Sequence, residues 1–376
     1  MRIAFVCAGA EPGCDGVGDY SRLLGEELDS RGYKTALLAL NDRTLEGGSI
    51  CSENKLRLST VMPWSARLLK AMAFLEEFRP DFLSLQFVGY GFDPRGLPLG
   101  LVGKLRRLAG GIPWLVMFHE LWIDHNGSWR CSVLSRMQKV YTTNLCRSLR
   151  PKMVHTSNEN YAGKLASAGI STSVLPLFSN IQCGAPDPSL RQTLVQGFNY
   201  GADSHNVWIF VFFGTIHPGW NVEGFFKRTS EAARRAGKKA TLFVSIGKNP
   251  GRGAAIWNSM QGFKTESLFF RQIGELSTID VSRHLQAADF GVATTPLSLL
   301  GKSGSAAAMA SHGLTTIVPR VDVAVSKETI ERRGLVLVDE FFEQGLLNPP
   351  KPRESHSASD TADLFLQQLH LLFKTP

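Results

Sequence analysis

No apolar run in this sequence approaches the roughly 20 residues that a membrane-spanning helix needs, so a membrane-embedded protein is not expected. The opening ten residues are too short and carry too little basic charge for a secretory signal, and are read as a first buried strand. The six cysteines, Cys7, Cys14, Cys51, Cys131, Cys146 and Cys183, lie far apart with no CxxC or other metal-ligand spacing. Structural thiols in a reduced cytoplasm are the reading that follows, since free cysteine packs as a small hydrophobe. Short-period repeats and low-complexity segments are missing as well. Carboxylates are outnumbered, 33 Asp and Glu against 41 Lys and Arg, for a formal charge of +8. That excess favours an anionic partner: nucleic acid, an acidic membrane surface or a phosphorylated substrate. The basic groups Lys104, Arg106, Arg107 and Arg234, Arg235, Lys238, Lys239 are short and read as solvated helix faces. Without basic and aromatic residues interleaved, nucleic acid is not expected.

What is present is an alternation of elements. Apolar residues 3–8 precede a loop holding Gly9, Gly13, Gly16 and Gly18, then a helical stretch 20–30, Gly32 and apolar residues 35–40. This is a strand, loop, helix, strand unit with a parallel crossover, its helix closed by Arg31 and a glycine cap. Helices at 64–78, 99–109 and 133–149 alternate with strands at 82–87, 114–118 and 153–156. The polar stretch 182–205 is rich in turn formers and marks a domain boundary. A second series runs through strands 207–213, 240–246, 268–272, 290–293 and 315–318 with helices between them. The terminal segment 362–373 places Phe365, Leu369, Leu372 and Phe373 at helical spacing, as a helix returning to pack on a domain would. The expected fold class is α/β, two doubly wound Rossmann-like domains facing a central cleft. Residues 1–185 form the first, 206–350 the second, and 358–376 a helix returning to the first.

Open parallel sheets bind ligands at the carboxyl ends of their strands, where loops feed helix N-termini with free N–H groups. In the first half, Gly16, Val17 and Gly18 let backbone approach a substrate, and Asp19 stands where it can cap the helix. The third glycine of a dinucleotide fingerprint is lacking, so hydride transfer on a nicotinamide is not supported. In the second half, Gly301, Lys302, Ser303, Gly304 and Ser305 precede a helix of small residues. They look built for phosphate, although Pro296 stands where a Walker A loop needs glycine. Gly214 and Thr215 follow the strand 207–213, and Lys248 follows 240–246, again at carboxyl ends suited to a diphosphate. Ile273 and Glu275, after the strand 268–272, join this donor set. His119 ends the strand 114–118, where imidazole can hydrogen-bond a sugar hydroxyl or move a proton. Asp124 and His125 follow, but the six-residue separation of His119 and His125 is not that of a zinc helix, and no metal is expected.

At these residues the sequence resembles the GT-B glycosyltransferases, and within them the retaining, GT4-like group. Gly16-Val17-Gly18-Asp19-Tyr20-Ser21 with Leu28 and Arg31-Gly32-Tyr33 is similar to that group's amino-terminal loop and helix. Arg79-Pro80-Asp81, Leu85-Gln86, Phe118-His119-Glu120 and Leu175-Pro176 follow in order. Residues 280–293 resemble the element before the donor-phosphate loop, and Met309-Ala310, Gly313-Leu314 and Val318 its helix and next strand. The resemblance implies a cytoplasmic enzyme, with peripheral contact at the inner membrane face left open. The donor, a nucleotide-diphosphate sugar, is its substrate, and no cofactor is implied. The acceptor is left unidentified, with a glycan, a lipid-linked intermediate and a small molecule as the candidates. Lys302 and His119 would be the catalytic residues.

Two departures accompany the resemblance. The group's usual pair of glutamates, eight positions apart around the phosphate-loop helix, is missing, since residues 299–308 contain no carboxylate. Its usual Arg and Lys pair is incomplete, with Trp220 and Asn221 near the position of the lysine. Two other readings therefore stand beside transfer. One is a nucleotide-sugar epimerase, for which Glu120 and Glu275 are the candidate acid and base. The other is a sugar- or nucleotide-binding protein that has lost catalysis.

Overall fold

Buried strands alternate with helices along most of the chain, as parallel sheets covered on both faces require. The computed structural model describes residues 1–123, 129–198, 203–343 and 356–374. These form two compact units, one of residues 1–176 and 358–376, the other of 177–357. Among the described residues no helix is long and apolar enough to cross a membrane.

The first unit is built on β1 (Arg2–Cys7), β2 (Lys34–Asp42), β3 (Ser49–Ser52), β4 (Lys55–Ser59), β5 (Phe82–Phe87), β6 (Trp114–Phe118), β7 (Met153–Thr156) and β8 (Ser173–Val174). They lie in the order β3-β4-β2-β1-β5-β6-β7-β8. All neighbours are parallel except the β3 and β4 hairpin, with Ile3 opposite both Thr35 and Phe82. The hairpin was not anticipated from the sequence, because two short, largely polar strands leave no apolar run to read. After β1 the chain enters the helix Gly16–Ser30, which buries Tyr20, Leu23, Leu24 and Leu28 against the sheet. It begins four residues before the expected start at Tyr20: Asp15, not Asp19, caps it, accepting the N–H groups of Val17 and Gly18.

The terminal helix, Ala358–Lys374, packs back on this first unit, as expected. Arg31, at the end of the Gly16–Ser30 helix, reaches Asp363 Oδ1 at 2.9 Å and donates to Ser359 Oγ at 2.7 Å. Beneath them Phe365 is buried, and His155 on β7 donates from Nε2 to Gln368 Oε1 at 2.7 Å. A contact separated by more than 300 residues thus ties the end of the chain to its first crossover.

The second unit contains β9 (Val207–Phe213), β10 (Ala240–Ile246), β11 (Leu268–Gly274), β12 (Phe290–Val292), β13 (Thr315–Val318) and β14 (Leu335–Leu337). Their order is β11-β10-β9-β12-β13-β14, all parallel. The two faces of β9 differ in kind, as the period of 2 in a strand allows. Val207, Ile209 and Val211 join an aliphatic core, while Trp208, Phe210 and Phe212 join an aromatic one with Phe225, Phe226, Phe243 and Trp257. On the aliphatic side the helix Gly304–Ser311 comes so close to β12 that a Cβ on Gly291 would lie 2.4 Å from Met309 Sδ. Absence of a side chain at Gly291 is what seats that helix.

The turn into the Gly16–Ser30 helix is equally tight. A Cβ on Gly18 would meet Ala10 Cα at 2.6 Å and the Gly9 carbonyl at 2.8 Å, whereas Gly16 faces open space. Gly18→Ala is therefore expected to destabilise the protein by about 2 kcal/mol through overpacking. Gly16→Ala should leave stability unchanged or raise it by a few tenths of a kcal/mol. Urea unfolding of the two variants beside the parent checks the contrast.

Candidate functional site

In the first unit, β1 is the strand from which the chain turns first to one side and then to the other, so the crevice at its carboxyl end is the natural place for a ligand. The turn there carries carboxylates. Asp15 Oδ1 accepts the Val17 N–H at 3.1 Å and the Gly18 N–H at 2.9 Å. A phosphate arriving at this helix start would have to displace the protein's own anion from those donors. Burial raises the pKa of Asp15, an effect its two backbone hydrogen bonds oppose. Asp19 folds back instead to accept the Gly13 N–H at 2.9 Å. Asp42, from the end of β2, accepts the Ala10 N–H at 3.1 Å and pairs with Arg57 at 2.8 Å. Burial works against its ionisation, but hydrogen bonds from Arg57, Thr44 and the Ala10 amide hold its pKa down at about 2. Glu11 also contacts Arg57.

His119 follows β6 and is buried at 7% exposure. Its backbone N–H donates to Phe87 O at 3.1 Å. Nε2 meets Gln86 Oε1 at 2.9 Å, and Gln86 Nε2 donates to Ser84 Oγ at 2.9 Å. Because a carbonyl oxygen only accepts, Nε2 carries the proton and Nδ1 is the basic nitrogen. The Tyr20 ring stands edge-on 5.0 Å away. Burial pulls the imidazole pKa down to about 3, so the ring is neutral near neutral pH. Asp124 and His125 lie outside the described residues.

In the second unit the topological switch lies between β9 and β12. Gly214, at φ +82°, turns the chain off β9, and its missing Cβ would point to Ser305 Cβ at 3.7 Å. Gly247, at the end of β10, packs its backbone against Gly214. Thr215 is exposed, while Ile216 is buried and its N–H is held by Asn249 Oδ1 at 3.0 Å. Residues Leu297–Lys302 form a 3-10 turn, so Gly301 and Lys302 belong to that turn rather than to an open loop. Buried Leu297 and Leu300 pin it. Ser303 then caps the helix Gly304–Ser311, accepting the Ala306 N–H at 3.2 Å, and its hydroxyl lies 3.0 Å from that of Ser305. Among the described residues the N–H groups of Gly304 and Ser305 have no acceptor. These are the first donors of the helix, which no earlier turn can satisfy.

The structure thus brings Gly214 and Ser303 to Ser305 together. Lys248 and Glu275 meet each other in an ion pair of 3.0 Å, with both side chains 65% exposed, and such a pair contributes little to stability. Ile273 packs against the aliphatic core, so its side chain serves packing.

Two further residues went unassigned in the sequence. Arg320, just past β13, lays its guanidinium 3.6 Å from the place a Gly219 Cβ would occupy; its backbone oxygen accepts the Leu297 N–H at 3.0 Å, while the guanidinium makes no hydrogen bond or ion pair among the described residues. His217 is fixed through its N–H to Thr294 Oγ1 at 2.8 Å, and its pKa is lowered by burial first and then by the charges of Arg320 and Lys302. That coupling marks three basic groups gathered at one end of the sheet. The available signal was a basic residue directly after a strand, Val318-Pro319-Arg320, which is too short to separate from a surface arginine.

No family model matches the chain, and no curated protein matches it in sequence. Solved structures do match it. A glycosyltransferase from Rickettsia africae superposes with a TM-score of 0.62 at 12% identity over all of both chains. The UDP-GlcNAc 2-epimerase from Methanocaldococcus jannaschii gives 0.54 at 10% identity, covering 99% of this chain and 100% of that one. WaaG, a glycosyltransferase involved in lipopolysaccharide biosynthesis, gives 0.52 at 13% identity, covering 97% of this chain and 95% of its own. At such identities the likeness is one of fold, and the fold is GT-B: two Rossmann-like units with the terminal helix returned to the first.

His119 gives a stability test. Its pKa is about 3 when folded and near 6.5 when unfolded, so between those values the unfolded chain binds the extra proton. Stability is therefore present above the unfolded pKa and is lost as pH falls from about 6.5 towards 3. His155, held down to about 4 mainly by burial, acts in the same direction. Urea midpoints measured at pH 7.5 and 4.5 should converge in His119→Gln relative to the parent. Parallel losses in both proteins would refute the assignment.

Proposed function

We propose that the chain is a glycosyltransferase that takes a sugar from a nucleotide-diphosphate donor held by its second unit and passes it to a separate acceptor. The observation that carries this reading is the open start of the helix Gly304–Ser311. Two N–H groups without acceptors lie beside Gly214 at the sheet's switch point, with Lys302, Arg320 and His217 gathered near them. Helix N-terminal donors and fixed cations are what a diphosphate needs.

Transfer builds negative charge on the departing diphosphate as the sugar becomes oxocarbenium-like. Preorganised donors stabilise that charge without reorganising. In this reading Lys302, Arg320, Ser303 and the amides of Gly304 and Ser305 perform that role, and no metal is required of them. Arg320 takes the part of the cation missing near Trp220 and Asn221. Retention of configuration follows from the resemblance to the GT4-like group, with attack on the face the diphosphate leaves. His119, neutral and with Nε2 engaged by Gln86, serves to accept a hydrogen bond from a sugar hydroxyl through Nδ1 rather than to donate a proton. The carboxylate-lined turn of the first unit suits hydroxyl groups of an acceptor better than a phosphate. Epimerisation is less favoured, because it needs a carboxylate poised in an enclosed site, whereas the Glu275 side chain is 65% exposed and lies 3.0 Å from Lys248.

Calorimetry against UDP-, GDP-, ADP- and TDP-linked sugars is expected to find one nucleotide series that binds. Lys302→Ala and Arg320→Ala should each weaken that nucleoside diphosphate about tenfold or more, as loss of a charged hydrogen bond does. The corresponding nucleoside should be affected little. If Lys302→Ala left both donor affinity and turnover unchanged, the assignment would be wrong. Binding without transfer or donor hydrolysis would identify a protein that has lost catalysis, and epimer formed without acceptor would identify an epimerase.

His217 adds a pH signature. Its pKa is depressed in the free protein by burial, Arg320 and Lys302. A bound diphosphate opposes those charges and raises it, so binding takes up a proton and affinity rises as pH falls towards 6. Titrations in buffers of different ionisation enthalpy should report this uptake, and His217→Asn should abolish it.

A further inference from the structure

The helix Trp129–Leu149 of the first unit buries polar side chains in its first half and exposes large apolar ones on the opposite side. Its buried side includes Ser135, Gln138 and Thr142, held by hydrogen bonds from Ser135 Oγ to Ile123 O at 2.7 Å and from Gln138 Nε2 to Arg95 O at 2.7 Å. Tyr141, Leu145 and Leu149 bury the second half of the helix in the usual way, but a second set of large apolar side chains faces water: Trp129 is 71% exposed, Val133 46%, Met137 50% and Val140 68%. Spacings of four, four and three residues put these four on one stripe. Such a stripe has no role in the unit's own core, and large exposed apolar groups that line up mark an interaction surface.

Charge identifies the partner. The 21 residues of this helix include Arg130, Arg136, Lys139 and Arg147 and no carboxylate. Over residues 101–152 there are nine Lys and Arg against two Asp and Glu, so a segment of the first unit carries nearly the whole +8 of the chain. The neighbouring helix Leu101–Ala109, which packs against it, exposes Arg106 and Arg107. The Arg130 guanidinium lies 5.6 Å from the Trp129 ring centroid, which pairs the aromatic group with a cation at the end of the stripe. An apolar stripe flanked by cations, with tryptophan at its edge, is the pattern of a helix lying in a lipid interface. A second copy of the same face would bring like charges together, and a nucleic acid would leave the valines and methionine without a partner.

We propose that this helix is a docking surface for a bilayer rich in anionic lipid, seating the protein by Trp129, Val133, Met137 and Val140 with Arg130, Arg136 and Arg147 on the headgroups. The reading is independent of the donor site, which lies in the other unit.

Cosedimentation of the full chain with vesicles tests it. Binding is expected to vesicles of phosphatidylcholine mixed with phosphatidylglycerol and not to phosphatidylcholine alone, and it should weaken as salt rises. Arg136→Gln should lower the affinity about fivefold, the effect of one cation near an anionic surface. The double variant Trp129→Ser, Met137→Ser should abolish sedimentation while keeping the parent's thermal midpoint, since both side chains are exposed. Tryptophan emission should shift to the blue on vesicles in the parent and shift less in Trp129→Phe. Failure to bind anionic vesicles, or equal binding by the parent and the double variant, would overturn the proposal. So would binding of a DNA or RNA duplex in place of vesicles, or a dimer of the parent that Val140→Arg converts to monomer.

Discussion

The chemistry assigned to the second unit depends on one constraint: β9 must sit inside its sheet, with β10 on one side and β12 on the other. The chain leaves β9 in one direction and later returns to its opposite edge, so the loops after β9 and β12 diverge at their carboxyl ends and leave a crevice. Gly214 keeps that crevice clear of side chain, and Gly291 lets the helix Gly304–Ser311 approach until Ser305 faces Gly214. Two aromatic and aliphatic layers hold β9 from either face, so the position of the crevice is set by the core rather than by the loops.

The two units share a topology and use it differently. Each places a helix start at the carboxyl end of its first strand or beside it. In the first unit the helix Gly16–Ser30 is closed by Asp15, so its dipole is already answered by a carboxylate within the chain. In the second, Ser303 satisfies only the Ala306 N–H, and the two donors before it stay open. A neutral hydroxyl cap leaves the helix able to attract an anion, and a carboxylate cap does not. In the proposed function, this difference of one side chain is what would separate a site suited to phosphate from one suited to hydroxyl groups.

The missing glutamates around the phosphate helix and the missing lysine near Trp220 take on a different meaning once Arg320 is placed. An arginine from the end of β13, over Gly219 and next to His217, supplies positive charge from a strand that the sequence pattern did not connect to the site. Positive charge elsewhere is also concentrated: in residues 101–152 of the first unit nine Lys and Arg stand against two Asp and Glu, beside exposed apolar groups.

The sequence by itself determined the alternation of elements. The strands Phe82–Phe87, Trp114–Phe118, Val207–Phe213 and Ala240–Ile246 were legible to the residue, because strands buried on both faces are continuous apolar runs bounded by polar turns. It also indicated the helix start at Ser303 to Ser305, since small residues after a turn leave few other readings. Only the tertiary structure decided which groups meet there. That Asp15 rather than Asp19 closes the first helix, that Lys248 faces Glu275, and that Arg320 joins His217 and Lys302 follow from strand order and side-chain direction. The last two join residues from separate loops, where no local pattern records them, and the first turns on which of two nearby carboxylates points back at the helix start. The helix Trp129–Leu149 makes the same point: the sequence reading placed a helix at 133–149, but only the packing decided that Ser135, Gln138, Tyr141 and Leu145 face inward and that Trp129, Val133, Met137 and Val140 face outward.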